Sequence, residues 1–267
     1  MNNQTLEKLR QMRLFGMHDA FKTSLENTLK EQMTQDQFIF HLVSSDWDNR
    51  RNRAVDRAIK AACFRYNASL EGIDYNFERG LDRNQVDRLA ALDFVRESKV
   101  LFITGPTGTG KSYLATALAY KACQDGYKVF YAGTAKLMSS LKIAKVKGTI
   151  LNEFKRLERT DLLVLDDFAM QTFDAQSRGI LMDIIEDRHQ KKATVITSQI
   201  PVKAWHDAIG ELTNEARAES SLLELCLARR KKTKLKNSGR CHTRQAGTSF
   251  FKSRTIWRIN QKKKNQK

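Results

Sequence analysis

A glycine-rich octapeptide constrains this sequence more than any other feature. Residues Gly105–Ser112 read GPTGTGKS and lie between the apolar run VLFIT at 100–104 and a segment rich in alanine and leucine. This fits the pattern GxxxxGK[ST] between a strand and a helix. Glycines let backbone N–H groups turn towards phosphates, and the N-terminus of a helix adds its positive dipole end. The octapeptide therefore predicts a P-loop rather than a glycine-rich turn without a ligand.

Within this loop, two side chains have expected roles of their own. Lys111 is expected to contact the β- and γ-phosphates as a point charge, and Ser112 to offer its hydroxyl to Mg²⁺. The residues expected to contact the nucleotide are Gly105, Pro106, Thr107, Gly108, Thr109, Gly110, Lys111 and Ser112.

A pair of adjacent carboxylates follows the next long apolar run. The segment DLLVLDDF, residues 161–168, ends in Asp166 and Asp167 before Phe168. Acids at a strand end are often exposed loop residues, but a preceding P-loop favours a functional pair. We expect Asp166 to hold magnesium through its water shell and Asp167 to orient and polarise the attacking water.

A third polar group ends a later apolar run, in the sequence ATVITSQ. Polar residues at a strand end are common, so this pattern is less specific than the P-loop. We expect Gln199 to contact the γ-phosphate or the attacking water, with Ser198 as a second nucleotide contact. The predicted catalytic residues are therefore Lys111, Asp166, Asp167 and Gln199.

The order of elements predicts an α/β fold. Continuous apolar strands alternate with helical segments over residues 99–210, which is typical of a parallel sheet covered by helices on both faces. Residues 1–68 are predicted to form a small all-α domain for binding DNA or a partner, and 69–98 a connector. Residues 211–267 are a divergent basic tail.

Charge is unevenly distributed along the chain. Of the net charge of +17, residues 221–267 contribute fifteen Lys or Arg against one acid, so the rest of the chain is nearly neutral. A helical face with Arg50, Arg53, Arg57 and Lys60 is a candidate DNA contact, because cations bind phosphates without reading sequence. The alternative is a solvated face, partly balanced by Asp46, Asp48 and Asp56.

Several classes of protein are disfavoured. The four cysteines and five histidines are dispersed, so no zinc cluster is predicted. No apolar run approaches the roughly 18 residues needed to span a bilayer, and the N-terminus lacks an apolar export signal. The expectation is a cytoplasmic protein without a membrane partner.

The motifs together resemble a known family. GPTGTGKSYLATALAYKAC, LLVLDDF and TVITSQIPVKAW are similar to the IstB-like ATP-binding proteins of insertion sequences, which are relatives of DnaC-type helicase loaders among the AAA+ ATPases. The resemblance covers about residues 1–210. It implies ATP and Mg²⁺ as cofactors, a homo-oligomer with ATP at subunit boundaries, double-stranded DNA as a partner, and assistance to a transposase of the same element.

The chain departs from the family in two places. Asp167 stands where many AAA+ enzymes have Glu, and after Gly210 the family's last strand and its arginine-bearing motifs are not found. Either a tail segment such as 255–259 replaces that strand, or the P-loop strand keeps an unpaired edge. Two alternative functions therefore remain: a DnaC-type replicative helicase loader, and a nucleotide- and DNA-binding remnant that does not hydrolyse ATP.

Overall fold

The structure, a computed structural model, describes residues 1–26, 33–75, 81–202 and 205, together with the backbone of 255–258. The chain divides into two compact units, Met1–Lys60 and Ala61–Lys267. None of the helices in the described ranges has the length and apolar character needed to span a bilayer.

The N-terminal unit is helical. Its helices are α1 (Asn2–Gln11), α2 (Phe15–Glu26) and α3 (Gln35–Ala62). Arg13, with a φ of 58°, ends the first helix and turns the chain into the second. A Cβ at Gly16 would lie 2.3 Å from the backbone oxygen of Ser45, so only glycine lets α2 approach α3 this closely. The Gly16 N–H then donates to the carboxylate of Asp46 at 3.2 Å.

The predicted connector at 69–98 contains two short helices. They are α4 (Arg83–Ala90) and α5 (Asp93–Arg96). Asp82 caps α4 by accepting the Asn84 N–H at 3.0 Å, and Val86 and Leu89 bury one side of the helix. Two buried apolar residues within eight positions give too short a periodic pattern to separate a helix from a polar loop.

The second unit is built on a parallel β-sheet, as expected. Its strands lie in the order β2-β3-β4-β1-β5, and all four pairings are parallel. The strands are β1 (Val100–Thr104), β2 (Val129–Gly133), β3 (Leu162–Phe168), β4 (Ala193–Ser198) and β5 (Thr255–Arg258). The helices between them are α6 (Lys111–Gln124), α7 (Thr134–Val146), α8 (Ile150–Glu158) and α9 (Ala175–Arg188).

Helices cover both faces of this sheet. Helix α6 packs against β1 to β4, and α7, α8 and α9 pack against one another over the opposite face. Because successive side chains of a strand point to opposite faces, Leu163 and Leu165 lie with α7 to α9 while Leu162 and Val164 face the other way. Trp205 packs on the same face as Leu163 and Leu165, with its ring centroid 4.7 Å from that of Phe168. This is the α/β P-loop fold that the strand and helix pattern predicted.

Strand β5 covers the outer edge of the P-loop strand. Leu101 pairs with Thr255 and Thr104 with Arg258 in a parallel register. The structure therefore shows a tail segment in place of the family's last strand, rather than an unpaired edge on the P-loop strand. The rest of the predicted tail, at 211–254 and 259–267, lies outside the described residues.

A buried arginine fixes the amino ends of β3 and β4. Arg188, on the last turn of α9, is only 3% exposed. Its guanidinium donates to five oxygens: those of Leu157 at 2.7 Å, Thr160 at 2.9 Å, Asp161 at 3.4 Å and Ala193 at 2.6 Å, and the Thr194 hydroxyl at 3.2 Å. Burial lowers the pKa of Arg188 to about 10, with Asp161 opposing the shift. One side chain thus ties the end of α8 to two neighbouring strands.

Candidate functional site

The P-loop turns at the carboxyl end of β1, where parallel sheets place their ligand sites. Gly108 and Gly110 have φ values of 79° and 85°, a region that L-residues other than glycine rarely adopt. Gly110 is also the N-cap of α6. Among the described residues, the N–H groups of these two glycines donate to no backbone carbonyl. The loop therefore has the geometry and the donors that a phosphate group needs.

Lys111 lies inside this loop. Its Nζ donates to the Pro106 carbonyl at 2.6 Å, and the Thr109 hydroxyl donates to the same oxygen at 2.9 Å. Burial lowers the pKa of Lys111, although the nearby Asp167 and Asp166 oppose this shift. The ammonium group is thus held next to the loop backbone by a neutral carbonyl, which an anionic phosphate can replace as its partner.

Asp166 lies directly against Ser112. The Ser112 hydroxyl donates to Oδ1 of Asp166 at 2.7 Å, and the carboxylate is almost fully buried. Three other hydroxyls also hold this residue: Thr197 donates to Oδ1, Tyr131 to Oδ2, and Thr134 to the main-chain oxygen. A hydroxyl beside a carboxylate is a suitable oxygen set for Mg²⁺, so Ser112 and Asp166 fit the expected metal.

Asp167 occupies a β-bulge. The pairing of β3 with β4 advances three residues from Leu165 to Phe168 but only two on the opposite strand. Asp167 has a φ of 53°, and its N–H donates to the Thr197 hydroxyl at 3.0 Å. Asp is one of the few residues that tolerate this backbone region, which gives a physical reason for Asp where many AAA+ enzymes have Glu. Burial and then the charge of Asp166 raise the pKa of Asp167, against opposing effects of Arg65 and Lys111.

Gln199 and Ser198 differ in where their side chains lie. The Thr107 hydroxyl of the P-loop donates to Gln199 Oε1 at 2.6 Å, so the structure brings Gln199 to the loop. Ser198 is fully buried; its hydroxyl donates to the Phe168 carbonyl at 2.9 Å and accepts the Ile200 N–H at 3.3 Å. These bonds occupy Ser198 on the protein side, so the geometry favours Gln199 over Ser198 as a nucleotide contact.

Sequence reasoning missed three residues that surround the acids. Tyr131 and Thr197 hold the carboxylate of Asp166 from β2 and β4. Tyr66 lies beside Ser112 and Thr116; burial raises the pKa of its phenol despite those hydroxyls, and its ring stacks on that of Tyr113. Tyr131 and Thr197 lie near the carboxyl ends of their strands, where ligands bind in parallel sheets, and this position could have indicated that they belong to the site. Nothing in the local sequence indicates Tyr66.

Known proteins similar to this chain show which family it belongs to. The IstB-like ATP binding protein family matches residues 7–244. The chain belongs to this family. A putative insertion sequence ATP-binding protein of Sinorhizobium fredii is 38% identical over 209 residues, covering 78% of this chain and 85% of the relative. The putative ATP-binding protein of insertion sequence IS1162 from Pseudomonas fluorescens is 33% identical over 202 residues, covering 75% and 87%.

Among solved structures, a crystal structure of DnaI matches this IstB-like chain with a TM-score of 0.49 and 18% identity. It covers 77% of this chain and 93% of that one.

A cavity of about 940 Å³ adjoins the acids of this IstB-like protein. Its wall includes Arg65, Tyr131, Lys142, Asp166, Asp167 and Met170, but none of the P-loop residues. The carboxylates therefore face two environments: the P-loop on one side, through Ser112, and this cavity on the other.

The four candidate DNA contacts lie on α3 and are exposed. Two of them have side-chain partners within the N-terminal unit: Arg50 Nε lies 2.5 Å from Asp46 Oδ2, and the Arg53 guanidinium lies 5.0 Å from the centre of the Phe15 ring. The Arg57 Nε donates to the Arg53 carbonyl at 3.2 Å. These contacts give Arg50 and Arg53 a structural role, so Arg57 and Lys60 are the better candidates for phosphate contacts.

Proposed function

We propose that this IstB-like protein binds ATP with Mg²⁺ at the P-loop, hydrolyses it, and uses it to assemble on target DNA and assist a transposase of the same insertion sequence. The observation that carries the proposal is the contact of Ser112 with Asp166 beside the buried ammonium of Lys111. A P-loop hydroxyl, a carboxylate from the end of β3 and a loop lysine are the groups that magnesium and triphosphate require.

Each residue has a distinct role in the proposed reaction. The N–H groups of Gly108 and Gly110 bind phosphate oxygens, and Lys111 balances charge on the β- and γ-phosphates. Ser112 would hold Mg²⁺ through its hydroxyl and Asp166 through the water shell of the ion, and the ion would neutralise charge on the phosphates. Asp167 accepts a hydrogen bond from the attacking water and orients it, and its raised pKa increases its basicity towards a proton.

Gln199 links the P-loop to the strand that carries Thr197. Because Thr107 already donates to its amide oxygen, Gln199 is positioned to respond when the loop binds a γ-phosphate. Its side-chain amide also contacts the Met170 sulfur at 3.1 Å, in the segment that follows the acids. We propose that Gln199 reports the presence of the γ-phosphate to that segment.

The hydrolysis part is tested by measuring ATP turnover at increasing protein concentration, with and without duplex DNA. We expect Lys111→Ala to reduce turnover by about 100-fold or more, because the lysine stabilises charge that develops in the transition state. Lys121→Ala is a matched control, since Lys121 lies on the same helix α6 but pairs with Asp125 on the surface at 2.9 Å. Equal turnover in parent and Lys111→Ala protein would refute the assigned site.

Turnover and binding distinguish the proposed ATPase from a remnant. Activity that rises with protein concentration and with DNA supports an assembling, DNA-dependent ATPase. Tight ATP binding without turnover under any condition would instead favour the nucleotide-binding remnant.

The DNA part is tested on the full chain by filter binding to duplex DNA across salt concentrations. Reversing the charges of Arg57 and Lys60 with glutamate should weaken binding and flatten its salt dependence, because each phosphate contact releases counterions. Lys22→Glu is the control, as Lys22 is exposed on α2 outside the basic face. If the α3 variant binds DNA as the parent does, this face is a solvated surface and the DNA contact lies elsewhere.

A further inference from the structure

The two acids of the site differ in how their side chains are held. Three hydroxyls donate to the Asp166 carboxylate, those of Ser112, Tyr131 and Thr197. Within the described ranges, no group donates a hydrogen bond to the Asp167 carboxylate, although the Asp167 N–H is bonded to Thr197. The bulge therefore fixes the backbone of Asp167 but leaves its carboxylate without a partner that orients it.

The segment that follows α3 is held beside the acids by aromatic contacts. The ring of Phe64 packs edge-on against that of Tyr131 at the end of β2, with the centroids 6.1 Å apart. Two positions further on, Tyr66 stacks on Tyr113 in the first turn of α6, with the centroids 6.4 Å apart. Arg65 lies between these two anchored rings, so the backbone that carries it is fixed on both sides.

Arg65 lies near Asp167 on the cavity side. It shares the wall of the cavity of about 940 Å³ with both acids. In the parts of the chain that the structure describes, its guanidinium has no hydrogen bond or ion pair. Burial and then the charge of Asp166 raise the pKa of Asp167, and the charges of Arg65 and then Lys111 act against them without cancelling the rise. The guanidinium is thus within electrostatic reach of a carboxylate that keeps a raised pKa.

Two cations therefore act on Asp167, one from each side. Lys111 belongs to the P-loop, and Arg65 lines the cavity, whose wall contains no P-loop residue. Under the proposed function, Lys111 balances the charge of the β- and γ-phosphates when nucleotide is bound. Arg65 is then the cation that remains available to Asp167 alone.

We infer that Arg65 is a positioning residue for ATP hydrolysis, which holds the Asp167 carboxylate in the orientation that receives the attacking water. The inference rests on the proposed function, since it assigns a role to a residue beside the same site. A guanidinium presents its N–H donors in a rigid planar fork, so it can hold one carboxylate oxygen while the other accepts a hydrogen bond from water.

The exposure of Arg65 separates this role from a structural one. Because the side chain is exposed, an ion pair that it forms contributes little to the stability of the fold. Its contribution to the rate can still be large, since a small misplacement of a reacting group slows catalysis strongly. Variants at this position should therefore fold normally and differ from the parent in turnover.

The test compares kcat, and binding of a fluorescent non-hydrolysable ATP analogue, in variants of the full chain. Arg65→Ala should reduce kcat by about 10-fold or more, because Asp167 is no longer oriented. Binding of the analogue should not change, because the P-loop is intact. Arg65→Lys should recover part of the lost kcat, since it keeps the charge without the fork. Lys136→Ala removes another exposed cation of the same cavity wall and should leave kcat unchanged.

A double variant shows whether Arg65 acts through Asp167. In Asp167→Asn protein, Arg65→Ala should cause no further loss of kcat, because the carboxylate that it orients has already been removed. A further loss as large as that in the parent would show that Arg65 acts independently of Asp167, and this would overturn the inference.

Other outcomes also overturn the inference. Arg65→Ala protein with the parent's kcat would show that the guanidinium does not orient the base. A loss of analogue binding or a lower melting temperature in Arg65→Ala would show that the residue supports the nucleotide site or the fold instead. If the parent shows no turnover, or if Asp167→Asn leaves turnover unchanged, the proposed hydrolysis mechanism fails and the inference fails with it.

Discussion

Replacing Arg188 tests how the sheet beneath the site is held. Arg188→Met removes the guanidinium but keeps a long side chain in the buried position. Three of its bonds, to the carbonyls of Leu157, Thr160 and Ala193, are 2.9 Å or shorter. Since these carbonyls lose a charged donor inside the protein, each loss should cost about 1.5 kcal/mol or more.

The net effect is smaller than the sum of these bonds. The native protein already bears the cost of burying a guanidinium, as the lowered pKa of Arg188 indicates. Methionine avoids that cost and adds apolar burial. We therefore expect Arg188→Met to lower the free energy of unfolding by about 3 kcal/mol, within the range for a broken buried network. In a unit of this size, that corresponds to a fall of about 6–12 °C in melting temperature.

The assay is urea and thermal unfolding followed by circular dichroism. Arg159→Met is the control, because Arg159 is exposed near the same end of α8. Arg188→Lys should also destabilise the protein, since one ammonium cannot reach all five acceptors in the fork geometry of a guanidinium. Arg188→Met protein within about 0.5 kcal/mol of the parent, the usual range of surface substitutions, would refute the reasoning.

Three further predictions concern the acids and the edge of the sheet. Asp167→Asn should retain the bulge and the fold but reduce ATP turnover by about 100-fold or more, measured at saturating ATP; unchanged turnover would remove Asp167 from the mechanism. Although burial raises the pKa of Asp161, hydrogen bonds from Lys192 and the Lys128 backbone lower it more. The ionised carboxylate therefore stabilises the fold at pH values above 3.8, its ordinary pKa. Asp161→Asn protein should have a lower free energy of unfolding than the parent at pH 7, and this difference should vanish as the pH falls well below 3.8. Replacing residues 255–258 with Gly-Ser-Gly-Ser should lower the melting temperature and increase aggregation by exposing the edge of β1; identical melting curves would argue against the β5 pairing.

The sequence was most informative where the chemistry is local. The apolar run at 100–104 and the segments DLLVLDDF and ATVITSQ coincide with β1, β3 and β4 to within about one residue. The roles of Lys111, Asp166 and Asp167 could be assigned because a phosphate loop and an acid pair have recognisable local patterns. Those roles remain predictions for the experiments above.

Contacts between distant residues were beyond reach of the sequence. Tyr131 meets Asp166 across 35 positions, and no local pattern connects them. At the end of β4, which polar residue contacts the acids depends on which face of the sheet its side chain lies on. Successive side chains alternate between the faces, so Thr197 contacts Asp166 whereas Ser198 lies on the opposite side. The bulge in β3 then brings Asp167 back to Thr197, and a bulge of this kind cannot be deduced from the letters DD alone.

The position of β5 has a consequence for how the protein reaches its folded state. The P-loop strand obtains its two neighbours late, since β4 follows it by about 90 residues and β5 by about 150. Such long-range parallel pairing is slow, because the entropy of closing a large loop is lost before the contacts form. The P-loop strand is thus synthesised early but enclosed late. Until β5 arrives, the nascent chain presents the bare edge of its nucleotide-binding strand to other chains, and assistance from chaperones should matter most in that interval.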